Sequence, residues 1–299
     1  MQQPSYLALY ESGELEHRIV QLNKILEACT LCPRQCKVNR LKDELGYCKA
    51  GSTLMVSSYF PHFGEERPLV GRSGSGTIFL IHCNLKCNFC QNYDISHLGS
   101  GEKVSTKQLA QMMLYLQLQG CHNINFVTPT HFAPQIISAL PYAIDMGLEL
   151  PIVYNCGGYE SLGVIKLLEG IVDIYMPDAK FSSAEYAKQY ANAPDYYDVL
   201  QPVLKEMHRQ VGLLSIEDGI ASRGLLIRHL VMPNNVAGSE EILKFIAEEL
   251  STDSYVNIMS QYRPRFEAID DPLIDRRITS KEYYPAIEIA NKFGLHRGF

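Results

Sequence analysis

The stretch Cys83-Asn-Leu-Lys-Cys87-Asn-Phe-Cys90 limits what this chain can be more than any other part of it. Cysteine thiolates are the usual ligands of iron–sulfur clusters, and a [4Fe–4S] cube takes four ligands. C-x3-C-x2-C supplies three from one short loop, which leaves one iron with an open position. A partial zinc site is the other reading of the same spacing. The loop follows Thr77–His82, a short apolar, β-branched and aromatic run of the kind that forms a buried strand, with Gly74 and Gly76 marking a turn before it. After it, Ser105 or Thr106 can cap a helix whose Leu109, Met112, Met113 and Leu116 recur at helical spacing up to Gly120. Strand, ligand-bearing loop and helix in that order are how an α/β barrel places its chemistry.

The same alternation continues along the chain. Strands are expected at Asn123–Val127, Pro151–Tyr154, Ile171–Met176, Leu225–Val231 and Tyr255–Met259. Helices are expected near Pro134–Met146, Gly158–Leu168, Ala184–Arg209 and Ser239–Leu250, the last with Ser239 as N-cap. Alternation of this kind means an α/β fold on a parallel sheet, either a barrel or a doubly wound sheet. Residues 1–70, with a helix over Glu14–Ala28, are expected to form a small cysteine-rich N-terminal region, 71–260 the main domain, and 261–299 a tail packed on it. A chain of 299 residues has room for one such domain.

Composition narrows the setting. A net charge of −6 argues against a broad nucleic-acid surface, and the 18 tyrosines do not interleave with runs of Lys and Arg. No long apolar run suggests a membrane span, and Met1 begins no signal segment. Nine cysteines without such a signal point to a reducing cytoplasm, where thiols serve metals or catalysis. Four of them, Cys29, Cys32, Cys36 and Cys48, form a second set, C-x2-C-x3-C-x11-C, with Gly46 just before the last. They make a complete thiolate set for structural zinc or for a second iron–sulfur cluster.

With its strand context, the Cys83–Cys90 stretch resembles the signature of the radical S-adenosylmethionine (SAM) superfamily. Cys90-Gln-Asn-Tyr-Asp94, Met176-Pro-Asp-Ala-Lys180 and Ile227-Arg-His-Leu-Val-Met-Pro233 resemble the corresponding runs of the pyruvate formate-lyase activating enzymes. Cys29-Thr-Leu-Cys32-Pro-Arg-Gln-Cys36-Lys-Val-Asn-Arg40 resembles a subgroup related to them that carries cysteines before the radical SAM loop. The resemblance implies a partial (β/α)6 TIM-like barrel of the radical SAM type. It implies a [4Fe–4S] cluster on Cys83, Cys87 and Cys90 whose open iron binds SAM and cleaves it to a hydrogen-abstracting 5'-deoxyadenosyl radical. It also implies an electron donor such as flavodoxin or ferredoxin, and a glycyl-radical enzyme as protein substrate. Modification of another protein, a peptide or a small molecule is the alternative.

Residue by residue, the resemblance places Phe89 near adenine and gives Asn155, Asp178, Lys180 and Arg228 to SAM. Asp178 and Lys180, at i and i+2 of an extended segment, point to one side. Arg228 sits inside a strand, where a charge is costly unless paired. A SAM carboxylate and Asp178 are its two candidate partners. The family's Gly-Gly-Glu turn after the second strand is replaced here by Val127-Thr-Pro-Thr-His131. A non-catalytic iron–sulfur or zinc protein would need the cysteines but not Asp178, Lys180 and Arg228.

Overall fold

The computed structural model describes residues 3–299. The strands are β1 (Leu54–His62), β2 (Ser75–Leu80), β3 (Glu102–Val104), β4 (Ile124–Val127), β5 (Ile152–Cys156), β6 (Ile174–Pro177), β7 (Ser215–Glu217), β8 (Ile220–Leu230) and β9 (Tyr255–Met259). The helices are α1 (Ser5–Glu11), α2 (Glu14–Lys24), α3 (Arg67–Val70), α4 (Tyr93–Ser96), α5 (Thr106–Leu118), α6 (Ala133–Asp145), α7 (Leu162–Leu167), α8 (Ala184–Ala191), α9 (Tyr196–Val211), α10 (Ser239–Glu249) and α11 (Ser280–Lys292).

The chain is α/β. One sheet runs β3-β1-β2-β4-β5-β6-β8-β7, with β9 also paired to β8. The expected strands are its parallel core: β2 pairs β4, β4 pairs β5, β5 pairs β6, β6 pairs β8 and β8 pairs β9, all parallel. β4, β5 and β6 are almost wholly buried, as strands covered on both faces must be. Gly224 allows the close passage of β8 past the segment before β7. Its φ is +124°, and a Cβ there would meet the Leu213 carbonyl oxygen at 2.4 Å.

One small buried cluster stands apart from the main core. In it Leu69 of α3 packs with Val153, Ile174, Met176 and Leu226. Outside, α5 packs on α6, and Ser105 caps α5 in a reciprocal box with Gln108.

Three expectations need correction. The boundary at residue 70 does not separate two units, because β1 lies within the first 70 residues and pairs antiparallel with β2, Tyr59 opposite Ile78. The stretch Ala184–Arg209 is two helices, broken at Asn192 with φ 49°. Pro194 forces that break, because the residue before a proline is pushed out of the helical region. The N-cap of α10 is Gly238 rather than Ser239, whose hydroxyl is instead 2.8 Å from Nε2 of the buried His229. Within residues 261–299, α11 packs on α10, and Tyr262 lines the cavity at the strand ends.

Candidate active site

The C-terminal ends of β2, β4, β5, β6, β8 and β9 surround a cavity of about 280 Å³. Every residue expected to hold the first cluster or SAM lines it: Cys83, Cys87, Phe89 and Cys90 from the loop after β2, and Asn155, Asp178, Lys180 and Arg228 from strand ends. Local backbone geometry explains the loop. His82 and Lys86 both adopt left-handed conformations, φ 68° and 54°, which fold the chain back on either side of Cys83. The buried Asn84 pins the turn by donating to the Tyr159 carbonyl at 2.6 Å. Asn88 N–H donates to the Tyr190 carbonyl, so the loop is tied to α8 as well.

Two of the sulfurs accept hydrogen bonds. The Leu85 amide donates to Cys83 Sγ at 3.3 Å, and the Ser96 hydroxyl to Cys90 Sγ at 3.2 Å. Burial pushes the free Cys87 thiol up to about 12, against the pull of nearby Lys180. A thiol in that setting becomes a thiolate when a metal takes the charge. Among the described residues, no three His, Cys, Asp or Glu side chains stand close enough together to hold a single metal ion. A cube makes a looser demand, since each thiolate binds its own iron. The donor set and the shared cavity fit a cube with three protein ligands.

Opposite the loop lies an ion cluster. Asp178 Oδ2 accepts from Lys180 Nζ at 2.6 Å, and Asp178 Oδ1 from Arg228 Nε at 2.7 Å. Arg228 Nη2 donates to Asn155 Oδ1 at 2.7 Å. Burial would raise the Asp178 carboxyl, but Arg228 and Lys180 outweigh it and hold it below the usual carboxylate range. Of the two expected partners for Arg228, the structure contains the pairing with Asp178. Tyr196 locks the segment from behind, since its hydroxyl lies 2.7 Å from the Asp178 carbonyl and accepts from the Lys180 amide at 3.1 Å.

Sequence reasoning missed the acids below this cluster. Glu65 and Glu66 approach Arg228 Nη1 at 4.0 and 3.9 Å with side chains almost fully buried. Burial raises both, but His62 and Arg228 bring Glu65 below its ordinary value, while burial keeps Glu66 above it. The only hint in the sequence was that Arg228, inside a strand, needed acidic company. The turn that replaces Gly-Gly-Glu puts Thr128, φ 59°, on the cavity, and its amide donates to the Asn155 carbonyl at 2.8 Å. Thr130 and His131 turn away from it. Thr130 donates to the buried Glu160 at 2.8 Å, and His131 Nε2 sits 2.7 Å from the Ile81 carbonyl oxygen.

Glu160 supplies a pH test. Burial pushes its carboxyl from 4.5 to about 8, so the folded chain binds a proton there that the unfolded chain releases. This group's stabilisation is complete below pH 4.5 and lost as pH rises through about 8. Urea midpoints should therefore fall across that window in the parent chain. Glu160→Gln should flatten that part of the profile, and an unchanged slope would assign it to other groups.

No family model matches the chain. It is 34% identical to uncharacterized protein MJ0674 of Methanocaldococcus jannaschii over 291 residues, 94% of this chain and 79% of that protein. The chain belongs to the MJ0674 family. A second protein of that organism, uncharacterized protein MJ0808, is 21% identical over 266 residues, 82% of this chain and 73% of its own length. Among solved structures, the crystal structure of methylornithine synthase (PylB) aligns with a TM-score of 0.49 at 11% identity. That alignment covers 72% of this chain and 62% of the PylB chain. Among the described residues of this MJ0674-family chain, no helix is long and apolar enough to cross a membrane.

Proposed function

We propose that this chain is a radical SAM enzyme of the cytoplasm. One observation carries the reading: three cysteines of a C-x3-C-x2-C loop share a single cavity with Asn155, Asp178, Lys180 and Arg228, all at C-terminal strand ends. When bound, a [4Fe–4S] cluster and SAM would supply reductive cleavage to methionine and a hydrogen-abstracting 5'-deoxyadenosyl group. Cys83, Cys87 and Cys90 hold the cluster. Lys180 has one hydrogen-bond partner, Asp178, and further donors to spare, so it is the cation we assign to the SAM carboxylate. Arg228, its fork taken by Asp178 and Asn155, holds that rim in place. Phe89, edge-on to Phe181 with ring centroids 6.0 Å apart, offers the adenine an apolar wall.

The substrate we assign is a glycine on a partner enzyme, with flavodoxin or ferredoxin as electron donor. A cavity of about 280 Å³ leaves little room beside SAM, which favours a donor that reaches in from outside, such as a loop of another protein. The test is anaerobic. Reconstituted and reduced protein given SAM should release 5'-deoxyadenosine, and Cys87→Ala should release none. Equal product from the variant, or zinc alone at the three cysteines, would overturn the assignment.

A further inference from the structure

A second cysteine cavity lies beside the first, and its charges do not balance. Cys29, Cys32, Cys36 and Cys48 line one enclosed space together with Arg34, Arg40 and His131. Arg40 is 1% exposed. It donates from Nε to the Gly51 carbonyl at 3.0 Å, from Nη1 to the His131 carbonyl at 2.7 Å, and from Nη2 again to Gly51. Neither Arg40 nor Arg34 has a carboxylate within ion-pair distance among the described residues. A buried guanidinium with only neutral carbonyl acceptors keeps most of its desolvation penalty.

The sulfurs supply the missing charge if they are thiolates. Burial raises the free thiols of Cys32 and Cys48, so a bound metal has to draw that charge out, and the local donors then support it. Tyr47 N–H donates to Cys36 Sγ at 3.4 Å, and the amides of Arg34 and Ala50 lie against Cys32 and Cys48. Gly46 clears the approach, since a Cβ there would sit 2.9 Å from Cys36 Sγ. His131 adds one unused acceptor: Nε2 bonds the Ile81 carbonyl, while its buried Nδ1 has no partner.

We propose that Cys29, Cys32, Cys36 and Cys48 hold a metal centre of net charge −2, with Arg34 and Arg40 as its built-in counter-charges. Four thiolates and a 2+ core give −2, and two arginines bring the site to zero. A zinc ion and a [4Fe–4S] core of charge 2+ give the same charge balance, but a single zinc would need the sulfurs to draw closer than they stand, whereas each thiolate of a cluster binds its own iron. The centre also braces the first loop. Arg34 donates from Nε to the Asn84 carbonyl at 3.0 Å and from Nη2 to the Ala191 carbonyl at 2.9 Å. Tyr47, packed 3.9 Å from the Arg34 guanidinium, donates its hydroxyl to the Leu85 carbonyl at 3.3 Å. Two residues that flank these cysteines therefore grip the backbone between Cys83 and Cys87.

The test removes the first set so that it does not depend on the radical SAM reading. The full chain carrying Cys83→Ala, Cys87→Ala and Cys90→Ala is purified anaerobically and assayed for zinc, iron and sulfide. About one centre per chain is expected, as one zinc or as about four irons with sulfide. Adding Cys32→Ser should remove it. Should that variant not fold, alkylation of the metal-loaded parent chain gives the same information: Cys29, Cys32, Cys36 and Cys48 should resist labelling until a chelator is added. Arg40→Met should weaken metal retention against the chelator by about 10–100-fold, the usual cost of losing a group that supports the ligands. Arg40→Lys should recover part of it. A folded, metal-free chain with all four thiols freely alkylated would overturn the proposal. So would an Arg40→Met variant that holds its metal as tightly as the parent.

Discussion

Asp178→Asn should destabilise the chain by about 3–5 kcal/mol, the usual cost of removing one member of a buried ion pair. The substitution keeps the size of the side chain and removes only its charge. Lys180 and Arg228, each within 2.7 Å of the carboxylate, would lose their one close anion, and the next acids stand about 4 Å from Arg228. Urea unfolding of the metal-free chain measures this, with the parent as reference. A loss below about 1 kcal/mol would mean that Glu65 and Glu66 take over the pairing. The sign with pH follows from the lowered Asp178 carboxyl. Its contribution is present above 3.8, the ordinary value, and fades only as pH falls through the still lower folded one. Glu160 slopes the other way, so its window and that of Asp178 are separable in one titration.

Leu69→Ala should cost about 2–5 kcal/mol. Leu69 is fully buried on the one-turn helix α3, which is too short to be stable alone. Its side chain fills the layer made by Val153, Ile174, Met176 and Leu226, so truncation leaves a hole that rigid strands close poorly. The effect should reach the site, because Glu66 immediately precedes α3 and accepts from Asn257 of β9 at 3.1 Å. A variant with lower stability and weaker SAM binding would show that the layer around Leu69 positions the acids beside Arg228. Lower stability with unchanged SAM binding would confine its role to packing.

The elements legible in the sequence were those whose signal is local. The cysteine spacings, the apolar runs of β4, β5 and β6, and the Asp178–Lys180 pair each lie within a few residues. β1 was illegible because Ser57, Ser58 and Pro61 interrupt it, and proline within a run argues against a strand. The structure accommodates Pro61 where β1 pairs only with β2, opposite Gly76, beyond the stretch that also pairs with β3. Glu65 and Glu66 were illegible for another reason. Their meaning comes from Arg228 and Asn257, far along the chain, and no period or motif carries it. Arg40 is similar, since its burial against the His131 carbonyl could not be read from the residues around it.

The two ends of the main strand order are short and charged. β3 has three residues, with Glu102 and Lys103 exposed, and β7 has three, all exposed and ending in Glu217. Such ends are poor templates for another copy's strand. Folded copies that meet edge to edge at β3 or β7 gain few backbone bonds, so these two margins work against fibre-like stacking.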